Sequence, residues 1–276
     1  METGLPLLSL PMPRRSVLLA VAAAAVLAVG AVVGVTLATR QTPQQPRPLA
    51  GKPPVPQPLA TPAAAQIRAA FAIWPHGTVD TMERLAGERP RDATVQLCLG
   101  IALLYGGYDG DAESVLRSAK KLGFDTIVEV QADGLLHPQY FPGDPPFAYS
   151  GPDNLLQRGV ALQSEGHQHS AERLFLQAAR LHPDDPEAQV AAAVGRFDKD
   201  SVTPAFAHLG PLTARFPKSQ AVRYYLGLLL AWTAQRDKAV EQFRDTVALG
   251  PGTPLGRSAA DFLKRLGQVR TAPPKK

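Results

Sequence analysis

Four columns of residues recur through the second half of the chain with a fixed step of 34: Gly159, Ala193 and Gly227; Ala171, Ala205 and Ala239; Phe175, Leu209 and Phe243; Pro183, Pro217 and Pro251. A period of this length means that one supersecondary unit is stacked on copies of itself. A small residue inside a first helix and another early in a second let two antiparallel helices approach closely. A bulky Phe or Leu four residues later keeps to the same face and fills the layer between them. Proline then ends the second helix and turns the chain into the next unit. With one cysteine and no Cys/His set from which a zinc site could be built, packing has to supply the core.

These columns resemble the tetratricopeptide repeat, a helix-turn-helix unit with Gly in its first helix, then Ala, Phe, Ala and a closing Pro. Unit 152–185 matches best, through Gly159, Ala171, Phe175, Ala178 and Pro183. Unit 220–253 has Leu226-Gly227, Ala239, Phe243 and Pro251, with Thr246 where Ala is usual. Unit 186–219 is degenerate: Arg196 takes an aromatic or aliphatic position, and Gly210-Pro211 falls inside the second helix, which is expected to bend there. Upstream the template fits 93–126 through Leu99-Gly100, Ala112, Leu116 and Ala119, and 59–92 faintly, through Leu85 and Pro90. The resemblance implies an all-α, right-handed superhelix of helical hairpins. Residues 61–126 form two degenerate units, 152–253 three more, 254–270 a capping helix with Ala259, Phe262, Leu263 and Leu266 on one side, and 271–276 a frayed tail.

Residues 127–151 interrupt the register and hold Tyr140, Phe141, Phe147 and Tyr149 among four prolines, a concentration of rings foreign to a solvated linker. The pattern predicts a short helix near Ile127 to Leu135, then an ordered crossing segment whose rings pack on neighbouring helices.

Before the repeats, Ser16 to Thr39 is a run of 24 uncharged residues between Arg15 and Arg40, after a short tail at 1–15. At about 1.5 Å per residue it spans a bilayer core of about 30 Å. It is longer than the usual apolar region of a cleaved signal peptide, so it reads as a retained transmembrane helix, although Thr36-Leu37-Ala38 would serve as a cleavage site. Arginines flank both ends, and the single-anchor arrangement puts the N-terminus in the cytoplasm and the repeats outside. Gly30 and Gly34 form a G-x-x-x-G pair through which two such helices would approach, giving a homodimer. The stretch 40–60 is proline-rich and reads as an extended spacer.

Charge and motifs exclude more than they assign. The net charge is +5, yet residues 61–253 carry eighteen Lys/Arg against twenty-two Asp/Glu, so the repeat body lacks the cationic face that nucleic acid requires. No nucleophile-elbow, zinc-protease, phosphate-loop or dinucleotide motif occurs, and no cofactor is implied. His167 and His169 lack a third ligand nearby in sequence, and Asp109, Asp111 and Glu113 begin a calcium-loop pattern that fails at Lys120; they read as turn and N-cap residues before a helix Ala112 to Leu122. Cys98, between Leu97 and Leu99, reads as a packed residue.

Binding without catalysis is the remaining class. In the tetratricopeptide family the concave face is lined from the second, fifth, ninth, twelfth and thirteenth positions. Carried onto this chain those positions include Leu97, Ile101, Leu104 and Tyr105; Leu156, Val160 and Gln163; Val190, Val194 and Phe197; and Tyr224, Leu228 and Trp232. The surface so implied is apolar and aromatic, suited to a hydrophobic peptide or an amphipathic helix of a protein partner. The crossing segment or a second copy would cover the same face. The expectation is a membrane-anchored scaffold or assembly factor of the bacterial cell envelope; the alternatives are a self-associating membrane protein and a metal-dependent enzyme.

Overall fold

The computed structural model describes residues 51–138, 140, 146–152 and 154–269. The helix expected at 16–39 with its Gly30/Gly34 pair, and the tail 271–276, lie outside them, as does Phe141. Among the described residues no helix is long and apolar enough to cross a membrane. The chain is all-α, with twelve helices and no strand among these residues: α1 Ala64–Ala72, α2 Thr78–Glu88, α3 Ala93–Gly106, α4 Asp109–Leu122, α5 Ile127–Leu136, α6 Leu155–Ser164, α7 Gln168–Leu181, α8 Pro186–Val194, α9 Thr203–Arg215, α10 Gln220–Trp232, α11 Arg236–Leu249 and α12 Pro254–Val269.

Each helix packs on the next within α1–α5 and again within α6–α12, and α3 also meets α5, α8 meets α10 and α10 meets α12. The second helix of each pair buries one stripe with the same spacing. In α4 it is Ala112, Leu116 and Ala119; in α7 Ala171, Phe175 and Ala178; in α9 Ala205, Leu209 and Leu212; in α11 Ala239, Phe243 and Thr246. These offsets put all three side chains on one helical face, which is why the rest of each sequence can be charged. Thr246 is tolerated in its stripe because its hydroxyl donates to the Gln242 carbonyl at 2.8 Å. The first helices have neighbours on several sides: Thr94 through Leu103 in α3 are all buried.

Local chemistry sets the helix starts. Asp92, Asn154, Asp185 and Ser219 cap α3, α6, α8 and α10 by accepting backbone N–H groups of the first turn. Asp109 and Asp111 belong to the first turn of α4, three residues before the start expected from sequence, and Tyr108 holds the N-cap position. There the carboxylates face the positive end of the helix dipole. α9 runs across Gly210–Pro211 without a break. A second irregularity of that unit lies upstream, where α8 stops at Val194 and residues 195–202 form a loop before α9.

The last ten residues of the proline-rich stretch belong to the folded unit rather than to a solvated spacer. Pro53 is buried, Val55 and Leu59 pack against the apolar cluster of α1–α5, and the Gln57 carbonyl accepts from Gln131 Nε2 at 2.9 Å. Side chains that can leave water and a carbonyl that finds a donor hold this strap down.

Candidate functional site

The predicted groove residues divide by depth. Leu97, Ile101, Leu156, Val190, Val194, Leu228 and Trp232 are buried, whereas Leu104, Tyr105, Val160, Gln163, Phe197 and Tyr224 keep part of their surface. The crossing segment supplies part of the cover. Phe147 is buried with its ring 5.5 Å from that of Phe175 and 5.3 Å from that of Tyr225. Its N–H donates to Gln163 Oε1 at 3.0 Å, and the Ala148 N–H donates to the Tyr225 hydroxyl at 2.7 Å. Burial pushes the Tyr225 phenol up, and raises that of Tyr224 to a lesser degree.

Phe197 sits in the loop after α8 rather than on a helix, with Tyr140 and Trp232 edge-on to it at 6.3 and 5.7 Å. Tyr105, far along the chain, meets Trp74 edge-on at 6.3 Å. The structure therefore joins Phe197 to Trp232 directly and leaves Tyr105 in a separate aromatic contact.

Val194 and Phe197 line a cleft of about 670 Å³ between α5 and the α6–α9 region. Gln163, the third groove position of its unit, shares this lining. The walls are charged: Glu129 and Asp133 from α5, Lys120 from α4, Glu172 from α7, Arg196 and Lys199 from the loop. These charges neutralise one another. Lys120 Nζ lies 2.7 Å from Asp133 Oδ1 and 3.1 Å from Asp200 Oδ2; Lys199 Nζ lies 3.0 Å from Asp133 Oδ2; His169 Nε2 lies 2.9 Å from Glu129 Oε1. His137 spans two acceptors, with Nδ1 3.0 Å from the Asp133 carbonyl and Nε2 2.9 Å from Asp200 Oδ1.

Burial alone would raise the Asp133 carboxyl, but the ammonium groups of Lys120 and Lys199 win and hold it below the ordinary carboxylate range. At Asp200 burial also acts upward and is outweighed by Lys120 and His137. Burial would lower Lys120, yet its two carboxylate partners leave it above the ordinary lysine value.

Asp133, His137 and Asp200 bring possible ligand atoms within 4.8 Å of one another. Lysine ammoniums already stand on both carboxylates, where a cation would have to sit, so the trio reads as an ionic cluster rather than a metal centre. His167 and His169 have different partners, the Asp125 carbonyl and Glu129. The Cys98 thiol is buried and pushed up to about 12, by burial first and then by the charge of Asp92, so it is unreactive.

Sequence reasoning missed Lys120, Asp133, His137, Lys199 and Asp200. The available signal was the degeneracy of unit 186–219: where Arg196 breaks the apolar pattern the helix has ended, and the following charged run is free to meet α4 and α5. Compared with models of protein families the chain matches none, and no curated protein matches it.

Proposed function

We propose that the chain is a membrane-anchored, non-catalytic scaffold or assembly factor of the cell envelope, built as a tetratricopeptide-like right-handed superhelix. It holds a hydrophobic peptide or helix segment of another protein. The observation that carries this reading is the cleft beside Val194 and Phe197, two positions from which that family meets its ligands. Its size suits a few side chains of a bound segment, and a lining that mixes Val130, Phe197 and Pro204 with largely paired charges resembles the mixed apolar and polar make-up of a protein interface. Tyr105, Val160 and Tyr224, outside the cleft, each keep part of their surface accessible. The helix at 16–39 tethers the whole to the membrane, with the repeats on the outer side.

A photo-reactive phenylalanine analogue at Phe197, with Ala207 on the exposed side of α9 as control, tests the site in intact cells. A protein adduct at 197 and none at 207 is expected. Equal adducts at both positions, or none at 197, refute the groove. An adduct of twice the chain mass would favour the second reading, self-association, for which Gly30 and Gly34 provide a helix contact. Orientation is read with Gln44→Cys in a Cys98→Ala background and a membrane-impermeant maleimide: labelling of intact cells is expected, and labelling only after lysis would place the repeats in the cytoplasm.

A further inference from the structure

The buried apolar side chains fall into two clusters with no shared member, one running from Ala63 to Ala132 and the other from Phe147 to Ala259. The contacts between the two halves are largely polar and gather near the two ends of α5. Before its first turn, Asp125 accepts from the Ser170 N–H at 3.1 Å and from the Ser170 hydroxyl, and its carbonyl meets His167 Nδ1 at 2.6 Å. Gly166 is pressed so close that a Cβ there would stand 2.6 Å from the Ile127 backbone. This end is a close clamp, made of side-chain hydrogen bonds and one backbone approach, with the His169–Glu129 pair and the Phe124 ring stacked on His169 beside it.

The other end is held by charged side chains. Lys120 of α4 and His137, just past α5, both reach Asp200 in the α8–α9 loop, and Lys199 of that loop reaches Asp133. The Asp200 side chain is 45% exposed, so water and salt reach this end. The cleft lies between clamp and ionic cluster.

We infer that the ionic cluster is a latch on the cleft: the α1–α5 half pivots about the clamp at Asp125 and Gly166, and Asp200 pairing with Lys120 and His137 sets how far the cleft opens. An apolar core shared across the junction would resist such a movement, because packed side chains tolerate little displacement. The Asp200 pairs reach solvent and are individually weak and screened, which suits contacts that are made and broken, whereas Lys199 with Asp133, 1% and 11% exposed, is a buried pair that opening has to bring into water. The device regulates entry to the site proposed above and rests on that reading for its purpose. Its geometry can be measured with no partner present.

The test uses the full chain in detergent, with spin labels on Ser118→Cys of α4 and Ala207→Cys of α9 in a Cys98→Ala background; both label positions are exposed and outside the cleft lining. Pulsed electron paramagnetic resonance should give one narrow distance at low salt. Asp200→Lys should lengthen and broaden it. The unsubstituted latch should show the same lengthening when salt is raised to about 1 M, where the screening length falls to about 3 Å. Distances that coincide in Asp200→Lys and its parent, and that salt does not move, overturn the latch. If Asp200→Lys loses helicity, the salt series decides alone by the same criterion. Failure here leaves cross-linking at Phe197 intact, and failure of cross-linking leaves these distances standing, so the two ideas fall separately.

Discussion

At the scale of single residues, the glycines of the repeat are distinguished by what lies opposite them. A Cβ on Gly159 would stand 2.3 Å from the Phe175 ring, and one on Gly100 2.6 Å from Leu116. Phe175 and Leu116 are themselves enclosed and cannot step aside. On Gly227 it would stand 3.0 Å from Phe243, whereas on Gly210 it would meet nothing within 4 Å. Helix preference alone would make every one of these Gly→Ala changes stabilising. Packing reverses the sign where a ring is opposite. Gly159→Ala is expected to cost about 1–3 kcal/mol through overpacking, and Gly227→Ala less. Gly210→Ala should gain about 0.5–1 kcal/mol. Urea unfolding of the three variants gives the order, and stabilisation by Gly159→Ala would show that α6 and α7 are not held as close as described.

At the scale of elements, α9 carries the least regular sequence of the second helices. Pro211 has no N–H to give the Ala207 carbonyl, yet the helix continues to Arg215 because Ala205, Leu209 and Leu212 anchor its buried stripe on both sides of the defect. Pro211 itself is exposed, so Pro211→Ala should restore one hydrogen bond without disturbing the core, a gain of about 1 kcal/mol. Amide exchange in α9 should slow in this variant; unchanged exchange would mean that the stripe alone sets the stability of the helix. The capped helices offer the reverse test. Asn154→Ala removes the acceptor for the Leu156 and Gln157 N–H groups at 2.8 and 3.2 Å and should cost about 1 kcal/mol, read as a lowered melting temperature.

For the whole molecule, the polar junction makes stability depend on pH in a way that two apolar cores would not. Asp125, Asp133 and Asp200 are all held below their ordinary values once hydrogen bonds and charges outweigh burial. A folded value below the unfolded one means that the contribution is present above about pH 4 and drains away as the pH falls through the depressed folded values. Lys120 is shifted the other way, so its contribution is complete below about pH 10 and is lost as the pH rises through its raised folded value. Asp133→Asn should destabilise the protein by about 3 kcal/mol at neutral pH, because it strips charge from the buried pair, and should shallow the acid limb of a stability–pH curve. An acid limb identical to that of the parent would remove Asp133 from this account. The repeat was legible because a helical hairpin is a local object: the 34-residue step, the small residues and the stripe of Ala, Phe and Leu are consequences of 3.6 residues per turn, and the structure uses them in α4, α7, α9 and α11. The sequence by itself thus determined an all-α chain and the inward stripes of its second helices, but not that the first-helix positions Leu97, Ile101, Leu156, Val190, Val194, Leu228 and Trp232 are buried rather than open to a ligand. Only the tertiary structure decided that α8 stops at Val194, that the next loop brings Lys199 and Asp200 to Asp133 and His137, and that a cleft opens beside Phe197. Those contacts join residues more than sixty positions apart through charge and geometry, which leave no period in a sequence to be read.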